Sequence, residues 1–311
     1  MIKKFFPVSK PFVNNSDIKN VIASMKLGWI SSSGPIIKKF EMKFSKIVKK
    51  KYSITVTSGT AALDVAVKSL NLESNSEVLV PDFTIISNLN SILKNNLKPV
   101  LVDCDKIKWN MKVEDIKKKI TKKTKAIMAV HIYGFPCEID KIKKICAEKK
   151  LYLIEDAAEM LGHKYKGRKC GSFGDVSTFS FYANKNMTTG EGGMICTNSK
   201  KIYQNCYKYK NLSFGKKIRF KHDELGWNYR MTSIQAALGL SQIRKINKNI
   251  SIKIKIGKIY YKYLKNNKNI YIQPPRIKNL DNSYWVVGIL NKSKTQKLKL
   301  QKFLKTKVKK K

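Results

Sequence analysis

Residues 177–193 decide how the rest of the chain is interpreted, and they read S-T-F-S-F-Y-A-N-K-N-M-T-T-G-E-G-G. The first five residues are rich in β-branched and aromatic side chains, which is typical of a strand. Lys185 follows the end of that strand and precedes a glycine-rich turn at 188–193. A lysine on a short, rigid turn in a protected place can lose its proton and attack a carbonyl. We therefore interpret Lys185 as a candidate nucleophile, although most lysines of this chain are expected on solvated faces.

Two carboxylates upstream offer a partner for that lysine. Residues 151–154 form a short apolar run typical of a buried parallel strand, with Glu155 and Asp156 at its carboxyl end. Open α/β sheets bind ligands at that end. A carboxylate there can pair with the ring N–H of pyridoxal phosphate (PLP) and keep the ring an electron sink. Taken alone, Asp156 would be interpreted as a solvated acid, but the lysine turn downstream favours the cofactor.

Three motifs resemble the DegT/DnrJ/EryC1/StrS family of sugar aminotransferases. They are E-D-A-A-E-M-L-G from Glu155, G-S-F-G-D-V-S-T-F-S-F from Gly171 and N-K-N-M-T-T-G-E-G-G from Asn184. The similarity extends from about Pro7 to Trp285. It implies a PLP enzyme of the aspartate-aminotransferase fold (fold type I), an α/β protein with a mainly parallel central sheet.

The resemblance also implies a reaction. The chain is most similar to family members that aminate C4 of GDP-linked 4-keto-6-deoxymannose for surface polysaccharide or O-antigen synthesis. Their likeness implies a nucleotide-sugar substrate, glutamate as amino donor and a homodimer with shared active sites. Three alternatives stay open: an aminotransferase for a UDP- or dTDP-linked keto sugar, an inactive truncated PLP-binding relative, and a dehydratase of the same fold. The dehydratases carry histidine in place of the lysine, so Lys185 argues against that last alternative.

By resemblance, Lys185 carries the cofactor covalently and, once released, moves a proton as general base and then acid. Asp156 pairs with the pyridine nitrogen. Glu159 lies beside the ring oxygen, where many relatives have Gln or His.

The cofactor phosphate is expected where the strand at 52–57 opens into a helix through Gly59 and Thr60. Free N–H groups and the positive end of the helix dipole favour an anion there, although S-G-T also serves as a plain helix cap. The resemblance places the phosphate on Gly59 and Thr60 and adds the hydroxyl of Ser180. Ile85 stands where relatives often stack an aromatic side chain on the pyridine ring, so an aliphatic residue would cover that face.

Further site residues come from a G-x-N-x-R pattern at Gly226, Asn228 and Arg230. By resemblance, Asn228 reaches the cofactor phosphate of the partner subunit. Substrate binding is expected from Arg230, His222 and Trp29. For Trp29, a buried anchor of the N-terminal arm is an equal alternative to an active-site loop.

Composition limits the other functions. The 311 residues carry a net charge of +43, which would ordinarily suggest nucleic acid or an anionic membrane. Only five of the 64 basic residues are arginines, the residue that reads phosphates by geometry, so we expect a compositional bias and no nucleic-acid partner.

The six cysteines and three histidines show no metal-ligand spacing, which indicates reduced thiols, a cytoplasmic protein and no metal. No stretch is long and apolar enough for a membrane partner. His131 is either a core histidine or part of the pocket wall.

Three regions are expected along the chain. Residues 1–34 form an N-terminal arm and active-site loop, 35–246 the large PLP-binding α/β domain, and 247–311 a smaller C-terminal domain. Alternation of strands and helices in the large domain predicts right-handed crossovers. In the small domain we expect strands at 270–273 and 284–290 and a charged segment at 292–311. Family members usually continue further, so the small domain is expected to be incomplete.

Overall fold

A seven-stranded sheet is the centre of the computed structural model, which describes residues 9–215 and 218–308. Within those ranges, three further sheets have two strands each. The strands are β1 (Tyr52–Val56), β2 (Glu77–Pro81), β3 (Lys98–Val102), β4 (Thr124–Val130), β5 (Tyr152–Asp156), β6 (Lys164–Tyr165), β7 (Arg168–Lys169), β8 (Val176–Ser180), β9 (Gly193–Thr197), β10 (Ile270–Ile272), β11 (Arg276–Ile277), β12 (Leu280–Asp281) and β13 (Ile289–Asn291).

The strand order in the large sheet is β1-β9-β8-β5-β4-β2-β3. Strand β9 pairs antiparallel with both of its neighbours, whereas the other pairings are parallel. Six strands therefore run in one direction, and their carboxyl ends share one edge of the sheet. The mainly parallel sheet predicted from the sequence is confirmed.

Helices connect these strands. Within the described residues they are α1 (Asn15–Lys26), α2 (Pro35–Val48), α3 (Gly59–Ser69), α4 (Ile86–Leu93), α5 (Val113–Lys119), α6 (Ile139–Lys149), α7 (Lys200–Lys210), α8 (Ser233–Gln242), α9 (Ile246–Leu264) and α10 (Lys294–Val308). Several begin where the sequence supplies a cap. Asn14 accepts a hydrogen bond from the Asp17 amide and forms a capping box at α1, and Thr232 does the same with Gln235 at α8.

Both faces of the sheet are covered by apolar layers, because alternate strand residues point to opposite faces. On one face, Leu153 belongs to the apolar cluster that includes side chains of α2 and α6; on the other, Ile154 belongs to the cluster that includes α3 and α7. The same alternation continues to the end of β5 and separates its two carboxylates.

The C-terminal part departs from the sequence prediction. The strand expected at 284–290 is wrong for most of its length: only Ile289–Asn291 is a strand, and Tyr284 has a left-handed backbone (φ 48°) that breaks an extended run. The charged segment at 292–311 contains helix α10. Helix α4 was not predicted, because its short polar and apolar mixture follows a proline turn. The three-region division stays a prediction.

Candidate active site

A cavity of about 410 Å³ opens at the carboxyl edge of the sheet. Parallel strands deliver their following residues to this edge, as expected for an open α/β sheet. The cavity is lined by predicted site residues from four separate stretches of the chain, namely Gly59, Thr60, Ile85, Asp156, Glu159, Ser180 and Lys185. The structure therefore brings seven predicted residues into one site within a single chain.

The two carboxylates that end β5 do different things. Glu155 is fully buried and accepts hydrogen bonds from the backbone N–H groups of Gly171, Phe173 and Gly174, at 2.5, 2.8 and 2.8 Å. Burial raises its pKa, but the hydrogen bonds from His131 and these amides outweigh burial, and the pKa is lowered. Asp156 points to the other face and into the cavity. Only Asp156 is free to meet a ligand.

A residue that sequence reasoning missed holds Asp156 in place. Asn88, fully buried on α4, donates from Nδ2 to Asp156 Oδ2 at 2.8 Å and accepts from Thr84 Oγ1 at 2.8 Å. Ala158 N–H donates to the other carboxylate oxygen at 3.0 Å. These bonds fix the orientation of the carboxylate before any ligand arrives. The signal that would have revealed Asn88 is a helix start after β2, which the sequence analysis did not recognise.

Lys185 lies partly buried in the cavity wall. Burial lowers the pKa of its amine more than the nearby carboxylates of Glu159 and Asp156 raise it. Its Nζ lies 3.8 Å from the centre of the Trp285 ring, and among the described residues no hydrogen-bond acceptor or ion-pair partner reaches it. The amine is therefore easier to deprotonate than a surface lysine and is available for a covalent bond.

Glu159 is the second carboxylate of the cavity. Its Oε2 accepts a hydrogen bond from the backbone N–H of Tyr133 at 2.6 Å. Burial raises the pKa of Glu159 to about 7, and Lys185 and the Tyr133 amide only partly oppose that rise. Near neutral pH, Glu159 therefore exists in both protonation states, as a donor or as an acceptor.

The start of α3 forms an anion cradle. Ser58 caps the helix by accepting from Ala61 N–H at 3.0 Å, which leaves the amides of Gly59 and Thr60 at the open end. A Cβ at Gly59 would lie 2.8 Å from Ser180 Cβ, so only glycine lets the helix start approach β8 this closely. Thr60 Oγ1 and Ser87 Oγ lie 2.9 Å apart and add hydroxyls. The arrangement suits a phosphate.

Ile85 and His131 differ in their access to the cavity. Ile85 is 62% exposed immediately before α4, so its aliphatic side chain can cover one face of a flat ligand. His131 is fully buried; its Nδ1 accepts from Cys137 N–H at 3.0 Å, so its Nε2 carries the proton that is donated to Glu155 at 3.1 Å. His131 lines the cavity, but both of its ring nitrogens are engaged by the buried residues Cys137 and Glu155.

Four predicted residues lie outside the cavity of their own chain. Arg230 Nε donates to Asn228 Oδ1 at 2.8 Å. His222 is exposed and donates from Nδ1 to the Leu212 carbonyl at 2.9 Å. Trp29 is tied to the end of α1, where its carbonyl accepts from Ser24 Oγ at 2.7 Å. The functions assigned to Asn228, Arg230, His222 and Trp29 stay predictions.

The cavity also contains residues that the sequence analysis did not assign. Trp285 closes it from the C-terminal part, and Asn184 contributes a buried Oδ1 with no hydrogen-bond partner in the described structure. A buried acceptor without a partner is costly unless a ligand supplies a donor. Tyr182, about half exposed, adds an aromatic surface at the mouth.

These features fit PLP. The Gly59 cradle accepts a phosphate, Asp156 is a preoriented carboxylate for a ring N–H, and Lys185 is an unpaired amine of lowered pKa. All three groups line one cavity. Separately, within residues 9–215 and 218–308, no helix combines the length and the apolar character needed to cross a bilayer.

The model of the DegT/DnrJ/EryC1/StrS aminotransferase family matches residues 11–309. A protein of Escherichia coli O157:H7 named GDP-perosamine synthase is 41% identical over 302 residues, which cover 97% of this chain and 82% of that protein. A Vibrio cholerae protein of the same name is 40% identical over 285 residues, covering 91% and 77%. Helicobacter pylori PseC, an aminotransferase involved in the biosynthesis of pseudoaminic acid, has a TM-score of 0.90 at 27% identity, covering 97% of this chain and 83% of its own.

Proposed function

Since this chain belongs to the DegT/DnrJ/EryC1/StrS aminotransferase family, we propose that it transfers an amino group to C4 of GDP-4-keto-6-deoxymannose. Membership confirms the predicted class, a PLP-dependent sugar aminotransferase of fold type I, with PLP as cofactor. Two curated relatives that share about two fifths of its residues carry the name GDP-perosamine synthase, which supports the choice of sugar.

One observation carries the proposal: Lys185 and Asp156, nearly thirty positions apart, line the same cavity as the anion cradle of α3. Bound there, PLP supplies an electron sink for the carbon that exchanges a proton. The Gly59 and Thr60 amides and the Ser180 hydroxyl would hold its phosphate, and Asp156 would keep its ring nitrogen protonated.

Lys185 is the proton carrier in this site. Its Nζ would hold the cofactor covalently at rest and be released when a substrate amine takes its place. The lowered pKa of the free amine lets Nζ accept a proton from the amino-bearing carbon as general base and return it as general acid. Glu159, with a pKa of about 7, faces the same space and would support the ring oxygen as donor or acceptor.

The substrate identity is tested with a panel of GDP-, UDP- and dTDP-linked keto sugars and glutamate, read by the mass of the amino-sugar product. We expect amination of GDP-4-keto-6-deoxymannose and little of the other nucleotides. Product only from a UDP- or dTDP-linked sugar would contradict the proposed substrate. Lys185→Ala is the matched negative control.

We further propose that the enzyme is a cytoplasmic homodimer whose subunits complete each other's sites. Asn228 lies outside the cavity of its own chain, and its Oδ1 accepts a hydrogen bond from Arg230 Nε. The neighbouring Tyr229 is also held in place, because its carbonyl accepts from the Thr57 N–H at 3.1 Å. A rigid loop that presents a polar side chain away from its own site fits contact with the partner's phosphate. The six free cysteines fit a reducing compartment.

Subunit mixing tests the shared site. Lys185→Ala and Asn228→Ala, each weak or inactive alone, should regain activity when refolded together, because one of the two sites in the mixed dimer has both residues intact. If Asn228 serves its own subunit, the mixture retains only the sum of the separate activities. Gel filtration of the mixture verifies that dimers form.

A further inference from the structure

Trp285 contacts the reacting amine from outside the large sheet. Its ring centre lies 3.8 Å from Lys185 Nζ, inside the range of a cation–π interaction. Trp285 reaches the cavity from the C-terminal part of the chain, between β12 and β13. None of the motifs that carry the family resemblance contains Trp285.

Both ends of Trp285 are fixed. Its indole Nε1 donates to the Asn184 carbonyl at 3.1 Å, so the ring is tied to the residue that precedes Lys185. Its own carbonyl accepts from Lys253 Nζ of α9 at 3.1 Å. These two hydrogen bonds tie Trp285 to the backbone that precedes Lys185 and to α9.

The chain adopts an uncommon backbone to place this ring. Tyr284, directly before Trp285, has φ 48°, and Tyr133, whose ring lies 6.2 Å from Trp285, has φ 55°. Left-handed backbone is an outlier for bulky side chains and is retained only where the surrounding structure enforces it. Tyr284 turns into the core, where its ring occupies the space over Gly257 and its hydroxyl donates to the Gln273 carbonyl at 2.9 Å. This turn directs Trp285 into the cavity.

The charged groups around Nζ come from four elements. Glu159 and Asp156 attract a proton to the amine, and Glu191 also lines the cavity. Lys253 repels it, since the two ammonium groups disfavour each other's charge. The carboxylates and Lys253 act on the charge of the amine at longer range, whereas the indole face contacts it directly.

We propose that Trp285 is a positioning residue, which holds the Lys185 amine against its indole face whenever that amine is not bound to the cofactor. This inference rests on the proposed function, in which Nζ alternates between a bound and a free state. The contact stabilises the ammonium and gives the released amine one defined place beside the reacting carbon. Without it, the free lysine would lose its proton at lower pH and sample more positions.

Fluorinated tryptophan provides the test, because fluorine weakens the negative ring face while the shape is nearly preserved. The cofactor-free full chain is made with tryptophan or with mono-, di- or trifluorinated tryptophan. The pH at which Lys185 is half reactive toward an acylating reagent is then measured by peptide mass spectrometry. We expect this midpoint to fall stepwise, by about 0.5–1.5 pH units in all, from the usual strength of a cation–π contact. The same series in a Trp285→Phe background should show no fluorine dependence.

A second control is Trp109→Phe. The Trp109 ring contacts Tyr133, at 5.7 Å between ring centres, and Tyr133 in turn contacts Trp285. This variant should keep the full dependence of the Lys185 midpoint on fluorination. A midpoint that ignores fluorination, or shifts equally without Trp285, overturns the inference. Borohydride fixation of PLP to Lys185 distinguishes failure of this inference from failure of the proposed function. If PLP is fixed there while the midpoint does not move, the inference fails and the proposed function stands.

Discussion

Replacing Gly59 with alanine tests the anion cradle. The new Cβ would lie 2.8 Å from Ser180 Cβ, about 1 Å inside an ordinary carbon–carbon contact. Ser180 Cβ belongs to the backbone geometry of β8 and cannot swing away, so the start of α3 must move. A shift of that size displaces the amides of Gly59 and Thr60 from the phosphate position.

Two effects are expected from Gly59→Ala. Overpacking should lower the free energy of unfolding of the cofactor-free protein by about 1–3 kcal/mol. Loss of one charge-assisted hydrogen bond, worth about 1.5–3 kcal/mol, should weaken PLP binding by about 10- to 150-fold. Denaturant unfolding measures the first quantity and a PLP titration followed by visible absorbance measures the second.

Gly239→Ala is the matched control, because its Cβ would meet the buried Phe40 ring at 2.6 Å, away from the cavity. It should lose comparable stability and keep its PLP affinity. The reasoning is refuted if Gly59→Ala binds PLP as tightly as the unaltered protein while losing the same stability as the control. A fall in affinity of equal size in both variants would refute it as well.

Three further substitutions test the different functions of the carboxylates Glu155, Asp156 and Glu159. Glu155→Gln should lower the free energy of unfolding by about 3 kcal/mol, since the buried amides lose their charged acceptor, as denaturant titration would show. Asp156→Asn should lower that free energy by about 1–3 kcal/mol, because its amide NH2 would face either Asn88 Nδ2 or the Ala158 N–H, both of which donate to the carboxylate. It should also reduce the transamination rate by about 100-fold or more, because the ring nitrogen loses its counterion; a rate near that of the unaltered protein would contradict this. For Glu159, whose pKa rises in the fold from 4.5 to about 7, the folded state holds a proton that the unfolded state releases between these values. Its contribution to stability is therefore present below pH 4.5 and declines up to pH 7. Glu159→Gln should flatten the unfolding free energy over that interval, and an unchanged slope would exclude the shift.

The sequence predicted most of the large sheet, because buried parallel strands leave short apolar runs and their helices keep a regular period. Seven of the residues it assigned to the site line the cavity at the carboxyl edge, whereas Trp29, His222, Asn228 and Arg230 lie outside the cavity of their own chain. The sequence could not predict that Glu155 binds buried backbone amides while Asp156 faces the cavity. Adjacent carboxylates are equivalent in a sequence pattern until the strand places them on opposite faces of the sheet.

Other features depended on contacts between distant segments. Asn88 resembled any polar residue, and only its hydrogen bond to Asp156 gives it a function in the site. Trp285 lies within the strand predicted at 284–290, whereas the left-handed turn at Tyr284 directs it into the cavity. Turns of this kind are decided by tertiary packing, here the space over Gly257, and leave no local pattern.

The central claim is that Lys185, alone among the lysines that the structure describes, lies in a PLP site with Asp156. The most direct measurement is borohydride reduction of the protein loaded with one equivalent of PLP, followed by peptide mapping of the pyridoxyl mass. Because 59 of the 64 basic residues are lysines, 64 less the five arginines, a non-specific reaction would distribute the label widely. The account predicts the label on Lys185, with none retained there in Lys185→Ala. A label spread over surface lysines, or an unchanged amount in that variant, would contradict it.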